Sequence, residues 1–261
     1  MSQLTIFDKI PESPEEWRDA ASRAGLLRTS PQDFANHRSG SEVTQAQFIV
    51  LRTFIKPISP LEFDPAAFDM QSHALARQLL RNSPEFNEYL QSLRTGSLAG
   101  SGDFGPLLRQ QTEILLSEGV TSKLGRRNEP PVNATLITLL QAIIATSVIH
   151  GKQPSVTDGQ MQDSDTMQIR VVAECKSSRR TRYAKIKEFP GSQRRFLVSQ
   201  NGLQLYVTFA RYGGLWQSNI TRTNPQACPR ALMDMYCVGP YLIDIAAHME
   251  EFAAIVLAIS L

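Results

Sequence analysis

Apolar residues recur at helical spacing through the first half of the chain and at strand spacing through much of the second. Ser13 stands where it can cap a helix over Pro14–Gly25, with Pro14 in the first turn and Glu15 and Glu16 near its positive end. From Glu42 to Ile55 the spacing fits a helix or a strand, and a helix is expected, broken between Pro57 and Pro65. Two helices follow over Asp69–Arg81 and Ser83–Leu93, the second capped by Ser83 with Pro84 next. Thr95–Gly105 is rich in glycine and serine and reads as a loop or hinge. Pro106–Glu118 is amphipathic. After a loop over Gly119–Pro131, Asn133 is expected to cap a helix over Ala134–Ile149 that is apolar nearly all round, the mark of a buried helix.

The period then changes. Gln153–Gln162 and Gln168–Lys176 predict paired strands joined through the acidic loop Asp163-Ser164-Asp165. Arg195–Gln200 and Leu203–Tyr212 flank Asn201-Gly202, a strong hairpin signal, and Leu203, Leu205, Val207 and Phe209 fall on one side of the second strand. A short strand through Trp216–Thr221 is expected, and a closing helix over Asp244–Ile259 with Ile245, Met249, Phe252, Ile255 and Val256 inward. Helices first and a sheet afterwards predict an α+β protein with an α/β-like core. The predicted organisation is a helical N-terminal region, 1–125, then a mixed sheet with flanking helices, 126–261, the two forming either separate domains or one continuous domain.

Composition narrows the function. With 42% hydrophobic and 20% charged residues, the 261-residue chain has the make-up of an ordinary globular protein. Its net charge of +2 excludes a polycation, so any affinity for nucleic acid has to come from local clustering. Three cysteines without a Cys-x-x-Cys pair fit free thiols in a reducing compartment. Prolines and acids without an apolar run near the N-terminus argue against a secretory signal. Leu136–Ile149 and Phe252–Leu261 are too short to span a bilayer. An intracellular protein, cytoplasmic or nuclear and without a membrane partner, is expected. The two Asn-x-Thr triplets at Asn133 and Asn219 are then coincidental.

The candidate chemistry gathers on the strand ending at Lys176. Ile169, Val171, Ala173 and Cys175 form its apolar face, and Glu174 and Lys176 share the other, about 7 Å apart by strand rise. With a second carboxylate nearby, that pairing suits a divalent-metal phosphodiesterase site. Asp158, in Pro154-Ser-Val-Thr-Asp158, is the most plausible second acid; Asp163 and Asp165 compete with it, and Asp158-Gly159 is also a common turn dipeptide. Directly afterwards come Lys176, Arg179, Arg180, Arg182, Lys185, Lys187, Arg194 and Arg195 against a single acid, Glu188. Such a run can contact phosphates, and Tyr183 and Phe189 could stack on bases; a solvated helix face or an acidic protein partner would explain the run equally well. The four histidines have no metal-ligand spacing, and no phosphate-binding glycine loop or dinucleotide fingerprint is present. Cys175 lies on the apolar side of its strand and reads as core. No ligand role is evident for Trp17 or Trp216.

A buried helix, a strand with an acid, and a strand ending in Glu-x-Lys follow one another as in the PD-(D/E)XK nuclease superfamily, which this chain resembles from roughly Asn128 to its C-terminus. The segments Arg195–Gly202, Tyr206–Ala210, Gly239-Pro240-Tyr241 and His248 through Leu261 also resemble a group of uncharacterised fungal proteins with nuclease-like domains. The resemblance implies a restriction-endonuclease-like fold and Mg²⁺- or Mn²⁺-dependent cleavage of DNA or RNA. In that scheme Asp158 and Glu174 hold the metal, Glu129 near the start of the preceding helix adds an acid, and Lys176 positions the attacking water or offsets charge on the phosphorane. Gln200, on a later strand, could approach the site. The chain departs from the family pattern in three places: proline is four residues before Asp158 rather than adjacent, Asp163 and Asp165 lie closer to Glu174, and Ser178–Phe189 allows only about three helical turns. The alternative is a catalytically degenerate nuclease-like fold that binds nucleic acid, or a protein partner through its helical half.

Overall fold

The computed structural model describes residues 10–29, 44–68, 70–97, 104–121, 129–146, 155–157, 160–162, 169–176, 194–216 and 232–261. Among these, seven strands form one mixed sheet in the order β1 (Thr53–Ile58), β7 (Met233–Leu242), β6 (Gln204–Arg211), β5 (Arg194–Asn201), β4 (Ile169–Lys176), β3 (Gln160–Gln162) and β2 (Ser155–Thr157), and helices accompany it, an α+β architecture. No helix among the described residues is long and apolar enough to cross a membrane. Contacts gather the chain into two units, each drawn from three stretches: Met1–Pro57, Arg180–Arg195 and Phe209–Cys237 in one, Ile58–Arg179, Phe196–Thr208 and Val238–Leu261 in the other.

In the first unit, helix α1 (Pro14–Arg23) starts where Ser13 accepts a hydrogen bond from the Glu16 amide, as its sequence predicts. Helix α2 (Gln45–Val50) is closed at its start by a capping box between Thr44 and Gln47. The helix expected to continue to Ile55 instead ends at Leu51. Arg52 takes a positive φ of 53°, which breaks the helix and turns the chain into strand β1 (Thr53–Ile58). Three buried donors fix this junction. The Trp17 indole donates to Ile49 O at 2.9 Å, the Trp216 indole to Leu51 O at 2.9 Å, and the Arg52 guanidinium to Leu27 O at 3.2 Å. Both tryptophans thus serve as anchors whose one polar atom satisfies a backbone carbonyl in a dry setting. The strand expected through Trp216 is not formed at its start: residues 214–216 are helical, and 217–221 lie outside the described residues.

The second unit is built on two apolar helices. Helix α6 (Glu129–Ala145) begins five residues before Ala134, where a cap at Asn133 would start it. Pro130 and Pro131 occupy its first turn, where a missing amide donor costs nothing, so the helix extends back to Glu129. Its residues Leu136, Leu139, Leu140 and Ile143 are fully buried, and it packs against β4 (Ile169–Lys176), α5 (Phe104–Thr121) and the closing helix α7 (Ala246–Ser260). Met249, Phe252, Ile255 and Val256 of α7 are buried as expected, whereas Ile245 lies before the helix and is exposed. Helices α3 (His73–Arg81) and α4 (Pro84–Thr95) cover α7, with Ser83 accepting from the Phe86 amide as the cap of α4. Phe86, Tyr89 and Phe104 stack where α4 meets α5, and Gln111 Nε2 donates to the Tyr89 hydroxyl at 3.0 Å.

Where α3 meets α7, the Glu251 carboxylate bonds the Arg77 guanidinium and lies 3.3 Å from His73 Nε2. Burial pushes the Glu251 carboxyl up, but the hydrogen bonds and charges of His73 and Arg77 outweigh it and hold the group below its ordinary value of 4.5. A carboxyl held low when folded adds stability above its unfolded pKa and gives it up as pH falls through the folded one. Glu251→Gln is therefore expected to cost about 1–2 kcal/mol at neutral pH, with the difference from wild type shrinking in urea titrations carried from pH 7 to below 4.5. A pH-independent difference would show that the charge of Glu251 is not what holds α3 to α7.

Strand β7 (Met233–Leu242), not anticipated as a strand, carries Gly239 at φ +143°. A Cβ added there would lie 2.7 Å from Tyr206 Cδ1 and 2.8 Å from Leu205 O, too close for either to be accommodated without movement of the backbone. Gly239→Ala is expected to lower the unfolding free energy by about 1–3 kcal/mol, read by thermal or denaturant unfolding. A variant as stable as wild type would mean that this close approach is not a constraint.

Candidate functional site

The candidate site lies within the second unit, at the end of β4. The first predicted strand is in fact two short ones, β2 (Ser155–Thr157) and β3 (Gln160–Gln162), paired antiparallel. β3 runs antiparallel to β4, with Gln160 opposite Val172 and Met161 opposite Val171 before the register shifts at Gln162. β4 itself spans Ile169–Lys176, one residue short of the predicted Gln168–Lys176. Glu174 and Lys176 thus occupy its final turn of pleat, as the pattern indicated.

The strand expected over Arg195–Gln200 is present, and what the sequence did not show is how it pairs. β5 (Arg194–Asn201) runs parallel to β4, in register from Val171 opposite Phe196 to Lys176 opposite Asn201. Parallel neighbours cannot be joined by a tight turn. Both strands end together. Their carboxyl edge, the place where α/β sheets take their ligands, presents Glu174-Cys175-Lys176 beside Ser199-Gln200-Asn201.

Alternation assigns the faces. Glu174, Lys176, Ser199 and Asn201 share one face, and Cys175 and Gln200 the other. On β5, Val198 and Gln200 are buried while Leu197, Ser199 and Asn201 are half-buried, so the Glu174 face is the more open of the two. Gln200 falls on the face opposite Glu174. Its side chain is 1% exposed and its Nε2 donates to Gly202 O at 2.8 Å, holding the end of β5.

The hairpin after β5 turns at Gly202-Leu203 rather than Asn201-Gly202. Gly202, at φ +59°, takes the left-handed conformation, which leaves Asn201 as the last residue of the strand. Strand β6 (Gln204–Arg211) follows, and Leu203 O accepts from the Ile243 amide at 3.0 Å, tying the turn to the chain after β7. Asn201 Oδ1 is buried and accepts no hydrogen bond from the described side chains. Sequence reasoning spent Asn201 on the turn; only the register with Lys176 reveals it as a site-face residue.

Glu129 is the first residue of α6, the helix that lies on β4. Asp158, Asp163 and Asp165 lie outside the described residues, as do Arg179, Arg180, Arg182, Lys185 and Lys187; Arg194 and Arg195 open β5 at the end remote from Asn201. Among the described residues no group of three or more His, Cys, Asp and Glu could hold a metal ion. No protein-family model, curated protein or solved structure matches this chain.

Proposed function

We propose that this protein is a Mg²⁺- or Mn²⁺-dependent nuclease with a restriction-endonuclease-like core, cleaving phosphodiester bonds in DNA or RNA. The observation that carries the reading is the in-register parallel pairing of β4 with β5. It sets Glu174 and Lys176 at a carboxyl edge, with the buried helix α6 laid against β4.

Asp158 and Glu174 have the chemistry a hard divalent cation prefers, carboxylate oxygens with room for retained waters, and Glu129 is the third candidate ligand. When bound, the metal supplies Lewis acidity at the phosphodiester and lowers the pKa of a water. The chain's own residues divide the remaining work. Glu174 and Asp158 fix where the phosphate binds, and Lys176 orients the attacking water and offsets the charge that gathers on phosphorus. The basic run from Arg179 to Arg195 supplies sequence-independent attraction for the nucleic-acid backbone, which weakens as salt rises.

Glu174→Ala is expected to abolish divalent-dependent cleavage of mixed DNA and RNA while leaving thermal unfolding close to that of wild type. Full cleavage by the variant would exclude the assignment. A wild type that cleaves nothing but binds nucleic acid or a protein would instead identify a degenerate nuclease-like fold used as a binding module.

A further inference from the structure

One end of the sheet, within the first unit, is unevenly charged. Strands β1, β5, β6 and β7 hold four cations, Lys56, Arg194, Arg195 and Arg211, against a single carboxylate, Asp234. Alternation puts Phe54 and Lys56 of β1, Asp234 and Tyr236 of β7, and Arg211 of β6 on one face. Their contacts agree. Lys56 Nζ lies 3.6 Å from the Asp234 carboxylate, 4.9 Å from the centroid of the Phe54 ring and 5.3 Å from that of Tyr236. From the strand on the other side, the Arg211 guanidinium carbon lies 5.7 Å from the Tyr236 centroid. The two-residue turn Gly202-Leu203 joins β5 to β6, so Arg194 at the start of β5 falls beside Arg211 at the end of β6. The row Lys56, Tyr236, Arg211, Arg194 thus crosses four adjacent strands. Like charges on neighbouring strands repel, so the row is not what holds the sheet together. Met233, Met235, Ala210 and Trp216 on the reverse side form a buried cluster, whereas Lys56, Tyr236 and Arg211 are only half-buried.

We propose that this row is a docking surface for a nucleic-acid strand, with Lys56, Arg211 and Arg194 contacting its backbone phosphates. Charge complementarity names the partner. Three strand spacings make the row about 14 Å long, which suits a polyanion with repeated charges better than one small anion. Cations already held over an aromatic ring lose less side-chain freedom when a phosphate arrives, so Tyr236 acts as a positioning residue. The inference names a binding surface for the substrate of the nuclease reading and rests on that reading for its purpose, but its test requires no cleavage.

The experiment is fluorescence anisotropy of labelled DNA and RNA, each as duplex and as single strand, titrated with the full chain in EDTA at stepped salt. Each phosphate contact adds about 0.9 to the slope of log K against log salt on duplex DNA, and about 0.7 on a single strand. Lys56→Gln and Arg211→Gln are each expected to lower the slope by about one contact and the affinity about fivefold at about 0.1 M salt. Lys56→Arg is expected to keep both, as a phosphate contact requires and a merely structural lysine does not. Arg18→Gln removes an exposed charge of the same unit away from the row and is expected to leave the slope unchanged. Thermal unfolding shows whether each variant is folded, and if one of the two glutamine variants is not, the other decides alone. Wild-type slopes in the folded variants, an equal fall in Arg18→Gln, or no binding of any probe by wild type overturns the proposal. Shifted slopes in a protein that cleaves nothing with Mg²⁺ would keep the surface and reject the nuclease assignment. Cleavage that depends on Glu174, with unmoved slopes, would do the reverse.

Discussion

The parallel pairing of β4 and β5 is the constraint on which the candidate site depends. Two strands running the same way and in register bring their carboxyl ends side by side. Had β5 returned antiparallel, Arg194 rather than Asn201 would stand beside Lys176, and the acceptor would be at the far end of the sheet. Helix α6 makes the arrangement stable. Being apolar on nearly every side, it has to be enclosed, and β4, α5 and α7 enclose it. The strand carrying Glu174 and Lys176 is thereby covered by a buried helix, with β3 and β5 paired on its two sides.

Elsewhere the fold depends on polar atoms matched inside apolar surroundings. Two indoles and a guanidinium donate to carbonyls at the α2–β1 junction, where the chain stops being a helix at Arg52 and becomes a strand. In the other unit the Glu251 carboxylate joins His73 and Arg77 across two helices. These contacts lie between residues far apart in sequence, which is why local pattern gives no hint of them. Trp17 and Trp216 show this plainly: each looked without purpose in the sequence, and each proves to be bonded to a backbone oxygen.

Elements governed by local rules were legible. Ser13 and Ser83 cap the helices they were expected to cap, and the alternation ending in Glu-x-Lys gave a strand within one residue of its observed bounds. The misreadings have physical causes. Asn133 has the chemistry of a cap, but proline is well tolerated in a first helical turn, and α6 extends back through Pro131 and Pro130 to Glu129. The spacing up to Ile55 fits a helix, but the chain turns at Arg52 through a positive φ that arginine does not advertise. Asn-Gly is a common turn pair, whereas here Gly202-Leu203 makes the turn and leaves Asn201 as the last residue of the strand. Its relation to Lys176 is a matter of register between strands, and register is not written in either strand alone.

The central claim is that the carboxyl edge of β4 and β5 binds a divalent cation through Glu174. Isothermal titration calorimetry with Mg²⁺ and with Mn²⁺, on wild type and on Glu174→Ala, measures this without any choice of substrate. Saturable binding to wild type that disappears in the folded variant is the predicted result. Equal binding by both proteins, or none by wild type, would contradict it.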